Sequence, residues 1–254
     1  MKTLGCKRKL PTIVFLLCLP SFWIYVPSLY ALERPVPSKS IKGFIEVGLS
    51  TQTGTRTVVE ETGPGVNFKG DAESTRVLVR IATKPVRPLE VYLQGGMANL
   101  IIDEFNDYRG DYEFAYGGGL ALTVYEYPGP ERFKILTRID TLHFETTDNI
   151  LTKISNIDTF VKETIRWREY TLEGIGLWRS QYWEPYIGAR FSWLDSKDII
   201  HDPRVGSLSL EEDGNFGFVL GANLYLDPRE NFAVNLEATL IDQNAIKVGF
   251  KLWY

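Results

Sequence analysis

From residue 41 to residue 254 the sequence runs as ten segments of alternating apolar and polar residues, and the links between them alternate in length. The segments are 41–50, 74–83, 89–100, 113–126, 133–144, 165–178, 182–194, 215–226, 231–241 and 245–254. Most are ten to fourteen residues long. A soluble strand usually has about 5–6 residues, whereas a tilted strand crossing a membrane needs about 9–11. Short links at 85–88, 127–132, 179–181 and 227–230 alternate with long loops at 51–73, 101–112, 145–164 and 195–214. Short turns at one end and long loops at the other describe an antiparallel up-and-down β-barrel spanning a membrane. Only the link at 242–244 breaks the rhythm, by being short. Ten is an even number, which places both ends of the barrel on the short-turn side.

Side-chain alternation supports the same reading, because successive residues of a strand face opposite sides. In the last segment Ile246, Val248, Phe250, Leu252 and Tyr254 oppose Lys247, Gly249, Lys251 and Trp253. In the second, Val77, Val79 and Ile81 oppose Arg76 and Arg80. A soluble β-sandwich also alternates, with its apolar face inside. Strand length and loop rhythm favour lipid outside. Aromatic residues make up 13% of the chain, and several flank the short turns: Tyr125, Tyr127 and Phe133; Trp178, Tyr182 and Trp183; Tyr225 and Phe232. Such rings settle at a membrane interface.

The N-terminus has its own pattern. Lys2, Lys7, Arg8 and Lys9 precede 23 uncharged residues, Leu10 to Leu32, with Ser28-Leu29-Tyr30-Ala31 near their end. A basic head, an apolar centre and a small-residue exit define a secretory signal peptide over 1–31. An uncleaved anchor is the rival reading, weakened by Pro11, Pro20 and Pro27. Residues 32–40 carry two prolines and read as a periplasmic linker, which leaves 41–254 as the barrel. Cleavage removes four of the 28 basic residues and none of the 32 acidic ones, giving a net charge of -8. That balance argues against nucleic acid as a partner. Two Cys and two His are too few for a zinc cluster, and no cofactor is expected.

The C-terminal pattern Lys247-x-Gly249-x-x-Leu252-x-Tyr254 resembles the assembly signal of bacterial outer-membrane β-barrels, and Tyr116-Gly117-Gly118-Gly119 resembles the glycine-rich strands of the small OmpA/OmpX-type barrels. The resemblance spans 41–254. It implies an outer-membrane location, contact with outer-membrane lipids, and a last strand read by the barrel-assembly machinery. It implies no particular activity, because the fold hosts adhesins, pores, enzymes and structural proteins.

Strand parity turns thirteen charged side chains inward: Glu46, Arg76, Arg80, Glu90, Arg138, Asp140, Glu169, Glu173, Glu184, Arg190, Glu237, Lys247 and Lys251. Seven are acids and six are bases. They are expected to fill a narrow lumen as an ion-pair network, because charges away from water must pair. A ten-strand barrel is only slightly wider than an eight-strand one, whose side chains fill it. The expected role is therefore structural, or surface interaction with an extracellular ligand through the long loops. The alternative is a narrow channel for small solutes, with inward glycines such as Gly96, Gly117, Gly119, Gly188 and Gly221 leaving space.

A loop-borne hydrolase is the third reading. His201-Asp202, Asp198, Asp103, Glu104 and Asp107 lie in two long loops, and the omptins, ten-strand outer-membrane proteases, place a His–Asp pair and an Asp pair in comparable loops. The spacing here differs, and these strands are expected to stop near the membrane belt, unlike omptin strands. A solvated polar loop is the expected reading, and no catalytic residue is assigned. Arg109-Gly110-Asp111 reads as a turn with a local charge pair. In 145–164, Ile150, Ile154, Ile157 and Val161 fit either a short helix or an extension of the flanking strands.

Overall fold

The computed structural model describes residues 45–254 except 62–66, 104–106, 128–131, 155–156, 181, 202–206 and 228–230. For 61, 67–68, 132, 150–154 and 157–159 it describes the backbone alone. The signal peptide at 1–31, the linker at 32–40 and residues 41–44 lie outside the described residues.

Twelve strands follow one another: β1 Ile45–Glu61, β2 Asn67–Val86, β3 Leu89–Ile102, β4 Tyr108–Glu126, β5 Arg132–Ile154, β6 Ile157–Arg179, β7 Trp183–Leu194, β8 Ser196–Ile200, β9 Ser207–Glu212, β10 Phe216–Tyr225, β11 Phe232–Leu240 and β12 Asn244–Trp253. All pairings are antiparallel, and β12 closes on β1 from Glu46–Trp253 to Thr55–Asn244. Ten of the strands are the ten expected segments. Tyr254 N–H donates to the Ile45 carbonyl at 3.0 Å, so the two ends of the barrel meet on the short-turn side.

Four strands are much longer than the sequence suggested. β1, β2, β5 and β6 have 17, 20, 23 and 23 residues. At about 3.3 Å per residue β6 runs about 75 Å, or about 50 Å of height at a tilt of about 45°, against a hydrocarbon layer of about 30 Å. The expectation that the strands stop at the membrane belt is therefore corrected. Loops 51–73 and 145–164 are largely strand, and the extension reading of 145–164, not the helix, is what forms. The cause is visible on β1, whose outward row changes from Ile45, Val47 and Leu49 to Thr51, Thr53, Thr55 and Thr57. Above the apolar belt the outward face becomes polar and the inward face mixes apolar with charged residues, so the alternation fades while β-branched residues keep the chain extended.

The remaining two strands, β8 and β9, were unexpected and change the cross-section. β8 continues β7 upward along β6 (Arg166–Lys197 to Glu163–Ile200), and β9 pairs with β1 (Val58–Glu212 to Glu61–Ser209). The lower wall is thus a ring of ten strands, β1 to β7 with β10 to β12. The upper wall is a collar of eight, β1 to β6 with β8 and β9. The β11–β12 hairpin ends beneath the place where β9 joins β1, which explains the one short outer link. Its turn is held by Ile241 at φ 84°, a conformation that β-branched residues rarely adopt.

The outward face of the ten-strand ring is apolar. Ile81, Leu93, Phe114, Val124, Ile187 and Ile246 are all more than half exposed. Tyr125, Phe133 and Trp178 touch one another at the short-turn edge, with ring centroids 6.5 and 5.1 Å apart. Tyr225 is a correction: it turns inward, is buried, and lies beneath the Arg179 guanidinium at 4.7 Å. The opposite edge carries a row that the sequence reading did not anticipate. Phe114, Tyr116, His143, Tyr170, Trp193 and Phe191 follow one another at centroid spacings of 5.5 to 6.1 Å.

Candidate functional site

The lumen is where the chemically active side chains gather. The inward row of β6 reads Val161, Glu163, Ile165, Trp167, Glu169, Thr171, Glu173, Ile175 and Leu177, and none is more than 7% exposed. Burial of this inner face along almost its whole length means that other side chains pack against β6 from base to collar.

The thirteen inward charges are buried or half-buried without exception. Glu169 stands at the centre, buried on β6. It accepts from Arg76 Nη2 at 2.8 Å, Arg190 Nη2 at 2.7 Å and Arg56 Nη2 at 3.2 Å. Asp242 lies 3.3 Å from Arg190 Nε and accepts from Ser192 Oγ at 2.8 Å. Glu212 accepts from Arg56 Nη1 at 3.0 Å. One layer lower, Arg138 reaches Glu173 at 2.5 Å, Asp140 at 3.1 Å and Glu237 at 3.5 Å. Glu237 also accepts from the Tyr186 hydroxyl at 2.8 Å and lies 3.7 Å from Lys247 Nζ. Arg80 pairs with Glu90, and the Tyr92 hydroxyl donates to Asp140. Nearer the short turns Asn223 links Glu184 at 2.9 Å to Lys251 at 3.3 Å, and Glu46 accepts from Trp253 Nε1 at 2.9 Å.

Several members of this network were missing from the sequence reading. Arg56 and Glu212 lie in stretches read as loops, and Asp242 lies in the link read as an outer turn. The left-handed Ile241 swings Asp242 and Gln243 inward, where both are buried and Gln243 accepts from Arg56 at 3.4 Å. The alternating Thr run of β1 was the available signal for Arg56. Two of the inward glycines are covered by aromatic rings. A Cβ at Gly221 would collide with the Tyr186 ring, and one at Gly119 with the Tyr92 ring. These glycines are seats for aromatic rings whose hydroxyls bind the network.

Above the charged layers the filling becomes apolar. Trp167, Phe144, Tyr108, Leu100, Ile102, Ile165, Leu210 and Val58 form one buried cluster that extends into the collar. Tyr108 closes it with a hydroxyl contact to Thr146 at 2.7 Å. Within the collar three acids also point inward: Glu60 on β1, Glu163 on β6 and Asp198 on β8, all buried. Burial first, then the neighbouring Asp198, pushes the Glu163 carboxyl up to about 9. Burial, with Asp198 second, raises Glu60 to about 7. Asp198 is raised by burial as well.

Of the residues considered for a loop hydrolase, His201, Asp198 and Asp103, among the described ones, point to different surroundings. Asp198 faces the interior, while His201 is exposed and its Nε2 lies 3.1 Å from Thr164 Oγ1. Asp103 pairs with Arg109 at 3.3 Å on the outer surface. Glu104 and Asp202 lie outside the described residues. Arg109-Gly110-Asp111 belongs to β4, not to a turn, and Gly110 packs on Thr146 and Tyr108. His143 sits in the outward aromatic row. Of the assembly-signal residues, Lys247 faces Glu237, Gly249 lies opposite Ser50 and Asn235, Leu252 lies opposite Val47 and Phe232, and Tyr254 is exposed.

A single antiparallel sheet closed on itself, apolar outside, with short turns at one end and tall strands at the other, is the fold of the bacterial outer-membrane β-barrels. One solved structure shares this fold. The chain is similar to the outer membrane protease OmpT from Escherichia coli, with a TM-score of 0.52 and 13% identity, covering 84% of this chain and 97% of that one. It aligns with the translocator domain of the autotransporter NalP from Neisseria meningitidis at a TM-score of 0.42 and 12% identity, covering 83% and 88% of the two chains. An outer membrane channel from Pseudomonas putida F1 aligns at 0.43 and 9% identity, covering 87% and 99%. At these identities the likeness is one of fold. No protein-family model matches the chain, and no curated protein matches it in sequence.

Proposed function

We propose that the chain is an integral outer-membrane β-barrel with a structural or surface-interaction role, its lumen sealed by its own side chains. The observation that carries this reading is the buried inner face of β6. Charged layers below and an apolar core above leave no continuous aqueous path along that strand. A channel needs weakly held charges lining water, whereas these charges are spent on one another. The apolar outer belt meets lipid. The collar lifts the outer ends of the strands about 20 Å or more above the hydrocarbon layer, where they are available to an extracellular partner. The tests are cell fractionation and solute flux. The chain should be recovered in the outer membrane, with a mature N-terminus near Leu32, and liposomes containing it should not swell in small sugars. Recovery as a soluble periplasmic protein, or rapid swelling, would overturn the reading.

A further inference from the structure

We infer that Glu60, Glu163 and Asp198 form a proton-operated latch that fastens the β8–β9 hairpin into the collar, closed while the carboxyls share protons and released when they lose them.

Two of the acids stand on the strands that the hairpin joins and the third on the hairpin itself. The hairpin enters the wall along two seams, β6–β8 and β1–β9, with four residue pairs each, and its own two strands share four more. Glu163 lies on β6 and Asp198 on β8, opposite Ile165, so the two carboxyls are diagonal neighbours across the first seam. Both side chains point inward and are buried. Glu60 stands on β1, opposite Leu210 of β9, at the second seam.

Among the described residues no base neutralises them, and neither oxygen of Glu163 nor Oδ1 of Asp198 has a hydrogen-bond partner. Around the cluster β5 contributes another acid, Asp148, and β4 contributes the Tyr108 phenol, engaged by Thr146. β9 contributes the apolar Leu208 and Leu210. Arg56, further down β1, is spent on Glu169 and Glu212. His201 bonds Thr164 on the exposed surface. Buried carboxylates without a cation are expensive, so protons must supply the neutralisation.

The sign follows from linkage. Carboxyls raised above their ordinary value of 4.5 bind more protons in the closed collar than in an opened one. Closure is therefore strongest in acid. It weakens as pH rises through about 7, where Glu60 ionises, and is lost as pH passes about 9, where Glu163 follows. Each proton taken up on closing makes the open-to-closed ratio rise about tenfold per pH unit between the ordinary and the raised value.

The test is a thiol-accessibility experiment on the full barrel in outer-membrane vesicles, in a background without Cys6 and Cys18. Ser196→Cys reports on β8, since Ser196 is buried. Asp111→Cys, on the exposed surface, corrects for the pH dependence of the thiol itself. The corrected labelling rate of Ser196→Cys should rise at least about tenfold between about pH 6 and about pH 10. Adding Glu163→Gln should keep the site protected at both values, while His201→Gln should leave the rise intact. If Glu163→Gln fails to assemble, Asp198→Asn takes its place. A flat rate in the parent, a rise that survives removal of the acid, or a rise abolished by His201→Gln would overturn the latch.

Discussion

At the residue scale Glu169 is the keystone of the lumen, because three guanidinium groups converge on one buried carboxylate. Glu169→Met should leave those groups with uncompensated buried charge and cost about 3–5 kcal/mol. Arg190→Met and Glu237→Met should destabilise in the same direction, since each also strips partners from several neighbours. Urea unfolding in detergent, followed by the loss of the heat-modifiable band, measures the effect. A change below about 1 kcal/mol would mean that water screens these charges. The sequence made the inward charges legible, because strand parity is a local property. It did not reveal which pairs form, because pairing depends on register between strands far apart in the chain. Arg138 and Glu237, for example, stand 99 residues apart.

At the element scale the collar was the part that could not be read. Strands inside the lipid belt announce themselves by apolar alternation, and all ten were visible for that reason. Above the belt the outward face meets water and the inward face mixes apolar and charged residues, so β8, β9 and the upper halves of β1, β2, β5 and β6 looked like loop. The short turn after β11 illustrates what such blindness hides. It looked like an ordinary outer link, yet Ile241 adopts a strained conformation to deliver Asp242 into the network. Such strain costs on the order of 1–3 kcal/mol. Ile241 is also largely exposed. Ile241→Gly should therefore raise stability, by up to about 1 kcal/mol once the greater freedom of glycine in the unfolded chain is deducted; lower stability in the same urea titration would contradict this account of the turn. The last strand has a different task. Gly249 sits between Ser50 and Asn235 on the neighbouring strands, where a Cβ would press on the Leu49 carbonyl and Ser50. Replacing Gly249 with a bulky residue, or deleting Tyr254, should reduce the amount of heat-modifiable barrel without changing synthesis. Normal assembly of both variants would contradict the assembly role of the C-terminal pattern.

At the scale of the whole molecule, two wall widths share one filling. A ring of ten strands holds the ion-pair layers, and a collar of eight holds the apolar cluster. The β11–β12 hairpin ends where the wall narrows. This arrangement sets a narrower, apolar-lined collar above a wider ring lined by charge. The measurement that tests the closure most directly is single-channel recording of the purified full barrel in a planar bilayer. The sealed lumen predicts a flat baseline for the parent, and for Arg190→Met wherever that variant still assembles. Reproducible conductance steps whose ion selectivity shifts when Arg190 is removed would show a wet, charge-lined pore and contradict the account.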